Sequence, residues 1–295
     1  MHTAIGIGEV LWDVFEDGRV LGGAPANFAY HVHCLNCTGL TFSRIGSDKP
    51  GEDILATLRG AGLCTEFIQR DNDHPTGKVD IELDEEGVPR FDILEDVAWD
   101  YMQAERRWLD AARGADAICF GTLSQRNACS RETIYKVLDA AEKTTCVLDL
   151  NLRDDLFSHD IITESMKRCD ILKINTYELA TLREMFECEH EDNTSFSHHI
   201  IEDYEIDLLC ITRGEDGCEL YTSDSTAEAA APSTSIVDTV GAGDAFCAGL
   251  TVNYLEGKDL QSIARGANLM GAYVAGCRGA MPDVPENIVE DFLGT

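Results

Sequence analysis

Short apolar runs rich in β-branched residues recur along the chain, and most are followed by a helix-length segment. Ala4–Ile7, Leu40–Ile45, Ala117–Phe120, Cys146–Leu150, Ile171–Ile174 and Leu208–Thr212 read as strands. Ala24–Leu35, Asp48–Gly60, Arg131–Lys143, Ile161–Arg168 and Thr176–Phe186 read as helices, with Pro25 acceptable in a first turn, and Asp244–Leu255 and Leu260–Cys277 follow as the last long ones. Strands separated by helices predict a largely parallel sheet covered on both faces. In such a sheet ligands bind beyond the carboxyl ends of the strands. Two stretches have another texture. Gly77–Leu83 alternates apolar and polar residues, Asp84–Gly87 turns, and Val88–Ile93 answers it, which predicts an antiparallel hairpin with one exposed face, a small lid on that edge. Cys218–Thr222 begins another antiparallel pair, and the acidic Glu187–Phe196 reads as a surface loop.

Composition narrows the partners. A length of 295 residues allows one large α/β domain or two smaller ones. No run approaches the roughly 20 apolar residues of a membrane span. The first residues lack a basic segment leading into a long apolar one, so a cytoplasmic location is expected. With 23 Lys and Arg against 54 Asp and Glu, a formal charge of −31, the chain repels nucleic acid and anionic membranes. A nucleotide triphosphate would be repelled too unless amides, Mg²⁺ or a few cations compensate locally. The 12 cysteines are scattered and mostly in apolar surroundings, as free buried thiols are. Cys34 and Cys37, flanked by His31 and His33, form one C-x-x-C, but no second ligand pair stands at a usable spacing.

The richest chemical signal is Asp238-Thr239-Val240-Gly241-Ala242-Gly243-Asp244-Ala245-Phe246. Small residues at a helix start leave backbone N–H groups unpaired and pointing at one spot, and the helix dipole adds positive potential there. An aspartate at such an anion site is awkward unless it accepts a proton from a hydroxyl attacking a phosphate. A glycine turn capped by aspartates accounts for the same letters on pattern alone. Gly22-Gly23-Ala24-Pro25-Ala26-Asn27 lets backbone approach a ligand closely, with Asn27 offering donor and acceptor and Asp13 able to accept from two hydroxyls. Asp149–Arg153 ends a strand and carries one of few cations, Arg153. Asn175 and Glu178 stand three apart on a first helical turn, where they either hold a hydrated Mg²⁺ or cap the helix. Thr212–Gly217 is a loop of the type that lies along a nucleotide. Gly6-Ile7-Gly8 lacks the third glycine of a dinucleotide fingerprint, with Leu11 in its place, and a Walker-type P-loop is absent. All five constellations fall where a parallel sheet puts its carboxyl-end loops.

The run from Asp238 to Leu250 resembles the C-terminal signature of the pfkB (ribokinase-like) sugar kinases, Gly22–Asn27 resembles their N-terminal glycine signature, and Asn175–Glu178 matches their N-x-x-E motif. Gly8-Glu9-Val10-Leu11-Trp12-Asp13, the lid residues Val97-Ala98-Trp99-Asp100, and Asn151-Leu152-Arg153 look most like the fructokinase branch. The resemblance implies one kinase domain over 1–295, a ribokinase-like three-layer αβα sandwich with a mostly parallel central sheet, and a small β-sheet lid formed near 10–22 and 75–100. It implies ATP-dependent transfer to a sugar's primary hydroxyl, fructose to fructose 6-phosphate, with 2-keto-3-deoxygluconate, ribose or a nucleoside as other acceptors and a silent sugar or nucleotide sensor as a rival class. Carried over, Asp244 is the base, and Gly241, Ala242 and Gly243 supply the anion hole. Asp13, Gly23, Asn27 and Arg153 bind sugar. Asn175, Thr212, Gly214, Gly217 and Asn268 serve the nucleotide, and Glu178 serves Mg²⁺ through water. Asp238, the Val240 carbonyl and the Gly279 loop match a monovalent-cation (K⁺) place. Thr76-Gly77 and Phe91 fit a substrate-facing lid, Asn36 stands at a turn where relatives have glycine, and a homodimer through the lid is implied.

Overall fold

The computed structural model describes residues 1–16, 18–83, 89–153, 156–187 and 192–294. In chain order the strands are β1 Thr3–Ile7, β2 Leu11–Phe15, β3 Gly18–Gly22, β4 Thr38–Gly46, β5 Ile68–Asp71, β6 Gly77–Leu83, β7 Pro89–Ile93, β8 Ala117–Phe120, β9 Thr145–Asp149, β10 Ile171–Asn175, β11 Leu208–Thr212, β12 Cys218–Tyr221 and β13 Thr226–Ala229. The helices are α1 Ala24–Cys34, α2 Lys49–Gly60, α3 Arg106–Gly114, α4 Ala128–Asp139, α5 His159–Met166, α6 Thr176–Met185, α7 Asn193–Tyr204, α8 Ala242–Leu255, α9 Leu260–Ala275 and α10 Glu286–Leu293.

Nine strands form one sheet in the order β13-β12-β11-β10-β9-β8-β1-β4-β5. From β11 to β5 every pairing is parallel, and β12 and β13 close one edge antiparallel. Successive side chains of a strand point to opposite faces. Ile5, Ile118, Leu148, Leu172 and Leu209 accordingly join a core with residues of α3 to α7. Their strand neighbours Ala4, Ala117, Val147, Ile171 and Leu208 join a second core with α1, α8, α9 and α10. This is the three-layer α/β arrangement expected from the alternation. Close packing of α1 needs Gly39, where a Cβ would stand 1.8 Å from the Ala29 carbonyl oxygen.

A smaller sheet runs β3-β2-β6-β7 and is mixed, with β2 and β6 parallel and the outer pairs antiparallel. The Asp84–Gly87 turn expected for the β6–β7 hairpin and the Phe91 side chain lie outside the described residues. Val10, Trp12 and Leu21 pack with Tyr30 of α1 and with Ile54 and Leu58 of α2, so the small sheet has its own core against the large body.

Three expectations need correction. The stretch read as a loop over Glu187–Phe196 contains a helix start, because Asp192 caps α7 by accepting the Ser195 amide at 2.8 Å. Val97–Asp100, read as lid residues, are buried: Val97 caps the 3₁₀ segment Ala98–Tyr101, in which Trp99 is wholly enclosed, packed on Leu123. Thr76 donates to Asp48 and accepts the Gly46 amide, and Gly77 abuts Trp99, so both build the seam beneath the small sheet. Asn36 takes a positive φ of 61°, the conformation asparagine tolerates. Cys34 at the end of α1 and Cys37 just before β4 are free thiols pushed above their ordinary pKa by burial, whereas Cys64 and Cys129 are exposed.

Candidate functional site

The carboxyl ends of β1, β9, β10 and β11 converge with the N-terminus of α8 under the small sheet. Two cavities lie there. The first, of about 600 Å³, is lined by Glu9, Leu11, Asp13, Asn27, Arg153 and Asp244 among others, with Val79, Ile81 and Ile93 of the small sheet over it. The second, of about 540 Å³, is lined by Thr212, Gly214, Gly217, Ala242 and Asn268 among others. Gly243 and Thr239 line both, so the cavities meet at the start of α8.

That helix start is shaped by backbone chemistry. Gly241 is its N-cap with φ 77°, and a Cβ there would come within 2.6 Å of Ala280. The Ala242 amide closes a turn on the Thr239 carbonyl at 3.2 Å. The amides of Gly243 and Asp244 belong to the first turn, where no carbonyl four residues back lies within the helix. The helix dipole adds positive potential at the same point. Asp238 braces the loop from the other side, accepting the Val240 amide with Oδ1 and the Gly279 amide with Oδ2, each at 3.0 Å.

Asp244 accepts a 2.7 Å hydrogen bond from Nδ2 of Asn27, 217 residues away. Burial, then the nearby negative charge of Asp149, raise its pKa to about 7, against the opposing pull of Asn27, Lys173 and Arg153. Asp13 is raised to about 6 by burial, partly offset by Arg153. Glu9 is likewise raised by burial; its Oε2 accepts from Ser124 Oγ at 2.7 Å. Asp13 and Asp244 thus stand poised to hold or give up a proton in mildly acidic to neutral water. Asn27 is nearly inaccessible, and its Oδ1 has no partner. Arg153 is exposed over the cleft, with a 3.4 Å bond to the Leu152 carbonyl.

Asp13, Gly23, Asn27, Arg153, Val240, Gly241, Gly243 and Asp244 line the first cavity, and Thr212, Gly214, Gly217, Asn268, Ala242 and Gly243 the second. Asn268 faces that space while its Nδ2 donates to the Ala229 carbonyl at 2.9 Å. Asn175 and Glu178 line neither cavity. They form a reciprocal capping box, and the buried Glu178 carboxylate accepts the amides of Leu152 and Asn175 at 2.9 and 2.8 Å. That engagement fits an anchor for the Arg153 segment. Among the described residues no cluster of three or more His, Cys, Asp or Glu could hold a metal ion.

The sequence reading gave no site role to Glu9, Asp149, Lys173 and Tyr177; all four line the first cavity, and Glu9 and Asp149 also border a small void behind it. Lys173 Nζ donates to Asp149 Oδ1 at 2.8 Å, both side chains under a tenth exposed. A signal existed: a lysine and an aspartate inside otherwise apolar, sheet-forming runs are costly unless paired.

A family model for "pfkB family carbohydrate kinase" matches residues 6–287. An uncharacterized sugar kinase from Pyrococcus horikoshii is 31% identical over 294 residues, covering 93% of this chain and 90% of that protein, and its crystal structure superposes with a TM-score of 0.83 over 99% of this chain and 97% of that one. A fructokinase of Vibrio alginolyticus is 27% identical over 283 residues, 90% of this chain and 88% of its own. A fructokinase from Xylella fastidiosa, solved with bound ATP, shares the fold at a TM-score of 0.88 and 21% identity, over 99% of this chain and 98% of that one. The cleft with its poised aspartate at a helix start, and a match running almost end to end, lead to one assignment: this chain belongs to the pfkB family of carbohydrate kinases and is a phosphotransferase acting on an alcohol group.

Proposed function

We propose that the protein transfers the terminal phosphoryl group of ATP to the primary hydroxyl of D-fructose, giving fructose 6-phosphate and ADP. The observation that carries this reading is the position of Asp244, on the first turn of α8 where the two cavities join. Sugar would occupy the first cavity, with Asp13 accepting from hydroxyls and Arg153 covering one side. The nucleotide would lie along Thr212–Gly217 with Asn268 beneath. The sugar oxygen attacks phosphorus in line, its proton passes to the Asp244 carboxylate, and the bond to the ADP oxygen breaks. The α8 amides stabilise charge on the group in flight. The small sheet, with Val79, Ile81 and Ile93 over the cavity, acts as a lid that keeps out water, a competing nucleophile. A homodimer through that sheet belongs to the same reading.

Mg²⁺ bound with the nucleotide would offset phosphate charge and keep several of its waters, with Glu178 reaching it through water. In this reading the Asp238 carboxylate, the Val240 carbonyl and the Gly279 loop would supply oxygen ligands, a set suited to a hard cation such as K⁺. That ion would support the Gly241 loop from behind.

A second reading takes a sugar acid such as 2-keto-3-deoxygluconate, favoured by the exposed Arg153 guanidinium, which suits a carboxylate. A panel of sugars assayed for ATP consumption decides between them. Fructose is expected to give the highest kcat/KM, and a higher value for a sugar acid or a nucleoside would displace it. Asp13→Asn is expected to raise the KM for the preferred sugar about tenfold or more, through loss of one charged hydrogen bond, with the KM for ATP unchanged. Gly241→Ala forces a left-handed residue, costing about 1–2 kcal/mol, and crowds Ala280. Turnover is expected to fall about 10²-fold, on the scale of losing one anion-hole donor, while sugar affinity by calorimetry stays within a few-fold.

A further inference from the structure

Lys173 is the one charged side chain of β10, and strand register explains where its charge goes. It is the direct lateral neighbour of Asp149 on β9. The alternation that sends Leu172 and Ile174 to one core turns Lys173 to the face carrying α8. There its ammonium is fixed by Asp149 at 2.8 Å and lies 3.3 Å from where a Cβ on Gly243 would be. A side chain at 243 would therefore crowd the ammonium, and Lys173 lines the first cavity beside Gly243, which borders both. Burial opposes its charge, but Asp149 and Glu178 outweigh burial and keep it protonated well above the ordinary lysine range. Of its three N–H donors one is spent on Asp149.

A structural role alone accounts poorly for this pair. A buried ion pair contributes little net stability compared with apolar residues of the same volume, and the rest of β10 is apolar up to Asn175. The pair also stands at the carboxyl end of the strands, where this fold binds ligands.

We propose that Lys173 is a further catalytic residue: its ammonium, anchored by Asp149, donates to an oxygen of the phosphoryl group as that group passes between the cavities. This rests on the kinase reading above. Within so acidic a cleft, Lys173 supplies fixed positive charge at the transfer point and needs no reorganisation when the reaction occurs.

The test compares wild type with Lys173→Met and with the double variant Lys173→Met/Asp149→Leu. The double variant replaces the whole ion pair by apolar groups, a change such sites often tolerate. Turnover at saturating substrates is measured, together with calorimetric affinity for ADP alone and for ADP with tetrafluoroaluminate, a mimic of the phosphoryl group in transfer. Both variants are expected to lose about 10²–10³-fold in kcat and a similar factor in affinity for the ADP–tetrafluoroaluminate pair. Affinity for ADP alone is expected to stay within threefold. If the single variant does not fold, the double variant decides. A folded variant with kcat within threefold of wild type, or one that loses both affinities equally, overturns the proposal. Should wild type turn over no sugar at all, the kinase reading falls, and the tetrafluoroaluminate comparison still judges Lys173: a selective loss supports it and an equal loss ends it.

Discussion

Asp244→Asn is expected to lose about 10²–10⁴-fold in turnover, the span ascribed to a positioned general base, while sugar affinity measured by calorimetry stays near that of wild type. The substitution keeps the shape and a hydrogen bond with Asn27, so binding survives. It removes the carboxylate proposed to take the hydroxyl proton. The same residue sets the pH profile. Its pKa stands at about 7, raised first by burial and then by Asp149, and only the ionised form accepts a proton. Activity is therefore expected to fall as pH drops below about 7. In the Asn variant the residual rate should lack that limb. Stability moves the other way. The folded pKa lies above that of an exposed aspartate, so the folded state takes up the proton first. The stabilising contribution of the protonated form is full below about pH 4 and is lost as pH rises through 7. The Asn variant is thus expected to melt higher than wild type at pH 8. Wild-type turnover in Asp244→Asn would remove the residue from the role, and an unchanged melting temperature would show that its buried charge costs nothing.

The largest effect on stability is expected at Arg126. Its guanidinium grips Asp100 with two bonds of 2.8 Å, donates to the Leu94 carbonyl at 2.6 Å, and lies 4.0 Å over the Trp99 ring. Both partners are buried, at 8% and 2% exposure. Arg126→Ala strands the Asp100 carboxylate without its cation and is expected to cost about 3–5 kcal/mol, read as a lower urea midpoint. Replacing both residues by leucine is expected to cost less, because no uncompensated charge remains. Arg126 lines neither cavity, so kcat of the folded fraction is expected to stay within a few-fold. A midpoint unchanged by Arg126→Ala would mean that the pair is replaced by water.

Much of this molecule was legible in one dimension. The alternation of apolar runs and helix-length segments is a local property, and it led to the parallel sheet, its two covered faces and the edge that holds the loops. The Asp238–Phe246 run marked the start of α8, because unpaired amides follow from any helix beginning at small residues. Where local signals failed, the reason was also local. The acidic stretch before α7 carries polar residues on most positions, and only Asp192 with the Ser195 amide betrays a helix start. Val97–Asp100 looked like part of a lid because no single-residue pattern distinguishes a surface loop from one held inside by a distant arginine.

The chain by itself determined the layers, the place of Asp244 at a helix start and the residue types that surround it, since these depend on periodicity and on what each side chain can do. Tertiary structure alone decided how those groups act on one another. Register between β9 and β10 put Lys173 against Asp149, the crossing of α1 and α8 put Asn27 against Asp244, and the helix cap engaged Glu178. Burial and neighbouring charge, which exist only once the layers close, moved Asp244 to about 7. Ionisation depends on distances between residues remote in sequence, and no one-dimensional pattern contains those distances.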